Sequence, residues 1–252
     1  NLNWAYSELF QNYDKGQIEW YLDYSQTISS TCGLMVHYAE THDNARLAAK
    51  GQTWAQLRTT LSALLSHNGS FGFTNGVEWY AKEKIIVHRD SALNWGAETN
   101  QVAHIQTLND LLKTHPAFFD GSRLERIRND HDQALTYWRH DKDDEQNLLV
   151  VINLDCENEQ TVIVKHESLQ LGQYIDLITE DVYIAAKSEI QIKLAPGQSI
   201  CLGKEKVEHK NYLRDHKALW TLRKFEEIKG ESCIADESES AEIDSFLKTP
   251  RQ

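Results

Sequence analysis

The stretch Gly33-Leu34-Met35-Val36-His37-Tyr38-Ala39-Glu40-Thr41-His42-Asp43-Asn44 decides how the first half of the chain is read. Leu34 to Ala39 is a short, mainly apolar run with the length of a buried strand, and it breaks into the polar cluster Glu40 to Asn44. Trp54, Leu57, Leu61, Leu64 and Leu65 then mark one face of a helix, closed by Asn68-Gly69. Strand, polar turn and helix in that order make a βα unit. Upstream, Glu8-Leu9-Phe10 and the group Ile18, Trp20, Tyr21 and Leu22 have helical spacing, interrupted near Gly16. Downstream, Ser70 to Thr74 reads as another short strand. A loop of about thirty residues follows, too long for a mere connector and therefore a candidate functional loop. Val102, Ile105, Leu108, Leu111 and Leu112 make the next amphipathic helix, which stops before Pro116.

After about Gln133 the pattern changes. Leu148 to Leu154, Thr161 to Val164, Tyr174 to Ile178, Ile190 to Leu194 and Ser199 to Leu202 are short strands separated by turn signals, with no helix between them. That pattern predicts an antiparallel β-sandwich. From Lys206 the chain becomes polar, with one helical stretch around Tyr212 to Phe225 and an acidic, serine-rich end. The expected organisation is βα units over 1–130, an antiparallel β-domain over 131–205, and a helical extension with an acidic tail over 206–252. A (β/α)8 barrel takes about 250 residues, about 30 per unit, so the first part holds only its last few units. The expected fold class is α/β plus all-β: the C-terminal part of a (β/α)8 barrel followed by an antiparallel β-sandwich.

Composition narrows the function. The 252 residues carry a formal net charge of −12, with 40% hydrophobic and 25% charged residues, which fits an ordinary globular protein. The acidic balance argues against nucleic acid as a partner, since a phosphate backbone calls for clustered Lys and Arg. No apolar run is long enough for a membrane span. Cys32, Cys156, Cys201 and Cys233 form no C-x-x-C pair, so neither a zinc site nor another cofactor is expected, and their irregular spacing suits reduced thiols in a cytoplasmic protein. His37, His42, His67 and His88 lack metal-ligand spacing. The chain opens Asn-Leu-Asn-Trp and its sole methionine is Met35, which leads us to expect a piece of something longer.

His42 and Asp43 leave the C-terminal end of the predicted strand, where βα barrels carry their active sites. An imidazole there can donate to a sugar hydroxyl, and a carboxylate can face positive charge developing on a sugar ring. The alternative is a strand-end turn with Asp43 capping a helix. Arg46 is placed to orient Asp43 or to bind a neighbouring carboxylate. Glu8 lines a cleft or caps a helix. Glu78 anchors the turn after the second strand. Trp79, Tyr80 and Trp95 supply either a stacking platform or packing.

The run Tyr38 to Leu47 resembles the strand-seven motif of the α-amylase superfamily (glycoside hydrolase family 13), aromatic-x-x-Asn-His-Asp with an Arg shortly after. Leu57 to Leu65 is similar to that family's seventh helix. Gly69 to Trp79 resembles its eighth strand and the Gly-x-Glu turn, and Ile105 to Phe118 its last barrel helix. Leu148 to Leu154, with Asp176-Leu177 through Pro196-Gly197-Gln198, is similar to its C-terminal β-domain. The likeness runs in order over about residues 1–203. Thr41 stands where the family has Asn, and the Thr-His-Asp-Asn form resembles glycogen-debranching or maltosyltransferase-type members. The resemblance implies a retaining enzyme acting on an α-glucan or maltooligosaccharide. Asp43 would be its catalytic, transition-state-stabilising carboxylate, and His42, Arg46, Glu8, Trp79 and Tyr80 its substrate-binding residues. In the family, the nucleophile and the general acid/base lie on strands four and five. Here they would belong to a missing N-terminal part, and this chain alone would be inactive. The alternative is a non-catalytic glucan-binding or assembly protein.

Overall fold

The computed structural model describes residues 13–206, except 32, 34, 67, 69, 87 and 90–92, together with the backbone of the strand Asn3–Trp4. Helix α1 (Lys15–Thr31) starts where Asp14 and Gln17 cap each other: the Gln17 amide donates to Asp14 Oδ1 at 2.9 Å, and the Asp14 amide donates to Gln17 Oε1 at 3.1 Å. Gly16 falls inside the first turn and does not interrupt the helix. Ile18, Tyr21, Leu22 and Ser25 form its buried face.

Strands β1 (Asn3–Trp4) and β2 (Met35–Val36) pair in parallel, and His37 continues β2 by a parallel bridge to Phe71. Between the second and third of these segments lies α2 (Gln52–Leu64), which buries Leu57, Leu61 and Leu64. Helix α3 (Val102–Thr114) packs beside it, with Leu108 and Leu111 in the same core as the α2 leucines. Three parallel segments joined by helices are the βα pattern expected of the first half.

The second half is a sandwich. Strands β3 (Arg123–Arg126), β4 (Ala134–His140), β5 (Leu148–Asn153), β7 (Gly172–Asp176), β8 (Val182–Ala185) and β10 (Ser199–Gly203) form one antiparallel sheet in the order β3-β4-β5-β10-β7-β8. Strands β6 (Gln160–Lys165) and β9 (Glu189–Leu194) form a second, two-stranded layer. Strands β4, β5 and β10 are buried along their whole length because both faces of the large sheet are covered. One face presents Leu135, Tyr137, Leu148, Val150, Ile152 and Cys201 to the core shared with the helices. The other presents Trp138, Leu149, Val151, Ile200 and Leu202 to Val162, Val164, Ile190, Ile192 and Leu194 of the small layer. The sheet begins at β3, ahead of the change of pattern near residue 131. Among the described residues strand β8 forms an edge of the large sheet, with Val182 and Ile184 exposed. Helical residues 212–225 and the tail beyond lie outside the described residues. No helix among those described is long and apolar enough to cross a membrane.

Arg139 of β4 ties the helices to the sheet. Its side chain is fully buried and lies over the Phe118 ring, 4.1 Å from the centroid. It donates to Leu64 O at 2.8 Å, Ser66 O at 2.9 Å and Ala117 O at 3.0 Å. Leu64 ends α2, so the guanidinium serves carbonyls that the helix leaves without intrahelical donors. Arg139→Met keeps the volume and strands these acceptors. Its expected cost is about 3 kcal/mol or more, read as a lower urea midpoint at unchanged slope. A midpoint within error of the parent would remove this role.

A polar network closes the outer end of β3 and β4. The His140 ring faces Glu125 Oε2 through Nε2 at 2.7 Å and Asp144 through Nδ1, and Arg123 also donates to Asp144 at 3.1 Å. His140 first of all, with His166 and Arg123 adding to it, holds the Glu125 and Asp144 carboxyls below their ordinary values. A carboxylate depressed on folding contributes stability above its unfolded value and loses it as the pH falls through the folded one. The stability gap between the parent and His140→Gln should therefore be full just above about pH 5 and shrink on acidification below about pH 4. Urea midpoints of both proteins at pH 6 and pH 3 test this; a gap that does not shrink would remove the network from acid stability.

Candidate functional site

The three parallel segments set the site. Around the third, the His37 amide donates to Ser70 O at 2.8 Å and the Gly72 amide donates to His37 O at 2.9 Å. The chain leaves β2 into the turn 40–46 and leaves the Phe71 segment into the turns 74–80, so both turns lie at the same, C-terminal rim. Between them is a recess of about 380 Å³ lined by Tyr38, Glu40, Thr41, His42, Asp43 and Phe73, with Gly72 and Thr74 completing it.

His42 and Asp43 stand at the mouth of this recess. Their side chains are 59% and 75% exposed, and His42 Nε2 lies 3.4 Å from Asp43 Oδ2. Within the turn that carries them, Thr41 Oγ1 donates to Asn44 Oδ1 at 2.7 Å and accepts from the Asp43 amide at 3.2 Å, and the Asn44 amide donates to Thr41 O at 3.3 Å. Thr41, the departure from the Asn of the resembled motif, thus spends its hydroxyl on the turn. Asp43 caps no helix; the next helical turn, Leu47–Lys50, begins after Arg46.

Directly beneath, the charges are buried. Glu40 and Arg46 form an ion pair with both side chains 1% exposed. Glu40 Oε2 also accepts from the Leu47 amide at 2.7 Å, and Thr74 Oγ1 donates to Glu40 O at 2.7 Å. Arg46 Nη1 donates to Asn75 O at 2.9 Å and Nε to Glu83 O at 3.1 Å. Burial pushes the Glu40 carboxyl up, while Arg46 and the Leu47 amide pull it back. Gly76 sits at φ +96° with its Cα against this pair; a Cβ there would lie 2.8 Å from Arg46 Nη2.

The expected substrate-binding set is therefore divided. His42 and Asp43 share the open rim. Arg46 does not reach it: its head group is consumed by Glu40 and by two backbone carbonyls, in the carboxylate-binding role that was its alternative. Trp79 and Tyr80, each 6% exposed, do not line the recess either. Trp79 packs against Trp95, with centroids 6.0 Å apart, and Tyr80 joins the helical core. The reason is the folding of the long loop, which winds back on itself: the Asn94 amide side chain donates to Trp79 O at 2.8 Å, and Gln101 Nε2 donates to Val77 O at 2.9 Å. Glu78 accepts from the Gly76 amide at 2.8 Å and anchors that turn. Glu8 lies outside the described residues. The aromatic wall of the recess comes instead from Tyr38 and Phe73, whose neighbourhood no spacing in the sequence announces. Glu40 was likewise missed; an acidic residue following an apolar run reads as a solvated strand end.

A larger recess, about 650 Å³, lies on the sandwich around His140, Glu125 and His166. The Trp138 ring below it is covered by His166, with centroids 5.1 Å apart and planes 20° from parallel. Arg123, Glu125, His140, Asp144 and His166 are engaged with one another there, and Lys204 lies over the Tyr174 ring. Among the described residues no cluster of three or more His, Cys, Asp or Glu side chains is arranged to hold a metal ion. Cys156 and Cys201 carry free thiols.

No protein-family model matches the sequence, and no curated protein matches it. The fold does match solved structures. An α-amylase from Anoxybacillus, described as a new glycosyl hydrolase subclass, superposes with a TM-score of 0.65 at 16% identity, over 81% of this chain and 45% of its own. The γ-CGTase of an alkalophilic Bacillus clarkii matches with a TM-score of 0.62 at 18% identity, over 80% of this chain and 30% of its own. An α-amylase from Geobacillus thermoleovorans, solved in complex with acarbose, matches with a TM-score of 0.61 at 13% identity, over 76% of this chain and 44% of its own. The chain thus spans less than half the length of each of these structures. Its helices, short parallel strands and antiparallel sheets have the fold of that portion of the α-amylase structures.

Proposed function

We propose that this chain belongs to a retaining glycosidase or glucanotransferase acting on α-glucans, in which Asp43 is the carboxylate that stabilises the transition state. The observation that carries this reading is the exposed His42–Asp43 pair at the C-terminal rim of parallel strands, facing a recess, in a fold shared with part of the α-amylases. Its chemistry follows from geometry. Asp43 is open to solvent on one side and backed by a rigid floor. A carboxylate so placed can hold two sugar hydroxyls in the ground state and face the positive charge that spreads over the ring as the glycosidic bond breaks. His42, beside it, can donate to a further hydroxyl. Tyr38 and Phe73 give the recess apolar surface suited to a pyranose face.

Retaining hydrolysis also needs a nucleophile and a general acid/base, two carboxyl groups about 5 Å apart. At the recess, Glu40 is the only other described carboxylate, and its engagement with Arg46 excludes it from either role. We assign both to a segment that packs against this rim, as the resemblance implies. The substrate class, an α-glucan or maltooligosaccharide, rests on the same fold likeness.

Asp43→Asn in the complete protein tests the reading. Turnover of maltoheptaose should fall by on the order of 10²–10³-fold, the size expected for losing one preorganised electrostatic group. The thermal midpoint should not move, because the side chain is exposed. Unchanged turnover would take Asp43 out of the site. The 252 residues alone should release no reducing sugar from maltoheptaose, and measurable release by them would refute the division of the catalytic groups.

A further inference from the structure

We infer that Glu40 and Arg46 are positioning residues, a buried charge pair that fixes the His42–Asp43 rim in the orientation an α-glucan needs; the inference rests on the glucan reading above. The two exposed side chains pair with each other, and inside their turn the Thr41 hydroxyl and the Asn44 amide, which donates to Thr41 O at 3.3 Å, make local bonds. Both ends of the turn converge on Glu40. Its carboxylate binds Arg46 and the Leu47 amide, which closes the chain from 40 to 47 into a loop. Arg46 then fastens that loop to the opposite rim through the carbonyls of Asn75 and Glu83. Thr74 adds a third tie, from its hydroxyl to the Glu40 carbonyl. The bare Gly76 lets the guanidinium approach the backbone this closely. One ion pair thus sets the width of the recess and the direction of its acidic edge at once, without touching the sugar.

Removing the charge while keeping the shape isolates the effect. Glu40→Gln leaves an acceptor for the Leu47 amide but weakens the hold on Arg46. Arg46→Lys keeps the charge but offers no planar fork to reach Glu40 and two carbonyls together. For both variants, hydrogen exchange measured by mass spectrometry on the intact protein should show at least tenfold faster exchange in 41–46. Exchange in β4, β5 and β10 should match the parent. For Arg46→Lys the acceleration should extend to 75–83. In the complete protein, kcat on maltoheptaose should fall at least tenfold with KM changed less than threefold, because a group that acts on the transition state is misdirected while binding persists. If 41–46 stays protected in both variants, or if protection is lost equally across the sandwich, the positioning role is overturned whatever the sugar result. If the loop loosens as expected while Asp43→Asn leaves turnover intact, the glucan reading fails and the clamp on the rim stands.

Discussion

Arg139 is the constraint on which the two halves of the molecule depend. A guanidinium sealed in a protein interior is costly unless its donors are met in good geometry. Here they are met by carbonyls of the α2 terminus and of the turn before β3, so the charge is tolerable only while helices and sheet hold their present relation. The same side chain lies on Phe118, which belongs to the core shared by both halves. Slippage of α2 along the sheet would break hydrogen bonds and apolar packing together. The rim that carries His42 and Asp43 is built on α2 and its flanking strands, and it inherits that rigidity.

A division of labour repeats at the rim itself. The groups with an open face, His42 and Asp43, contribute little to holding their own turn. The groups that hold the turn, Glu40 and Arg46, have no open face. Chemistry on a sugar needs polar atoms aimed into water before the substrate arrives, and a short exposed turn does not supply that aim by its own hydrogen bonds. A buried pair beneath it can, because its strength grows in a poorly solvated surrounding. Gly76 and Thr74, neither of them chemically reactive in this setting, matter for the same reason.

Much of this architecture is legible in the sequence, and the failures have physical causes. Strands β5, β6, β9 and β10 show themselves through continuous apolar runs at the centre or strict alternation in the small layer. Strand β3 hides because Arg123-Leu124-Glu125-Arg126 has one apolar residue and its polar neighbours pair with His140 and with α1. Strand β4 hides because Arg139 is buried by virtue of partners far away in the chain, and His140 by carboxylates on the neighbouring strand and turn. Strand β8 turns its apolar residues outward, against the usual pattern. Helix α1 runs past its apolar stripe to Thr31, where Thr27, Ser30 and Thr31 donate to carbonyls one turn back. At the site, the strand-end position of His42 and Asp43 is local information and could be read. The fates of Arg46, Trp79 and Tyr80 are not local: they depend on how a loop of about thirty residues folds over them, which no spacing encodes.

The open edge at β8 has a consequence for handling the protein. Val182 and Ile184 face solvent on a strand whose outer backbone groups have no sheet partner among the described residues, a surface prone to adding another extended chain. Copies bearing a charge of −12 repel one another in dilute buffer. That repulsion reaches about 10 Å at 0.1 M salt and about 3 Å at 1 M. Concentrated salt, the common choice for purification and crystal growth, therefore removes the force that keeps these edges apart, and low ionic strength is the milder storage condition.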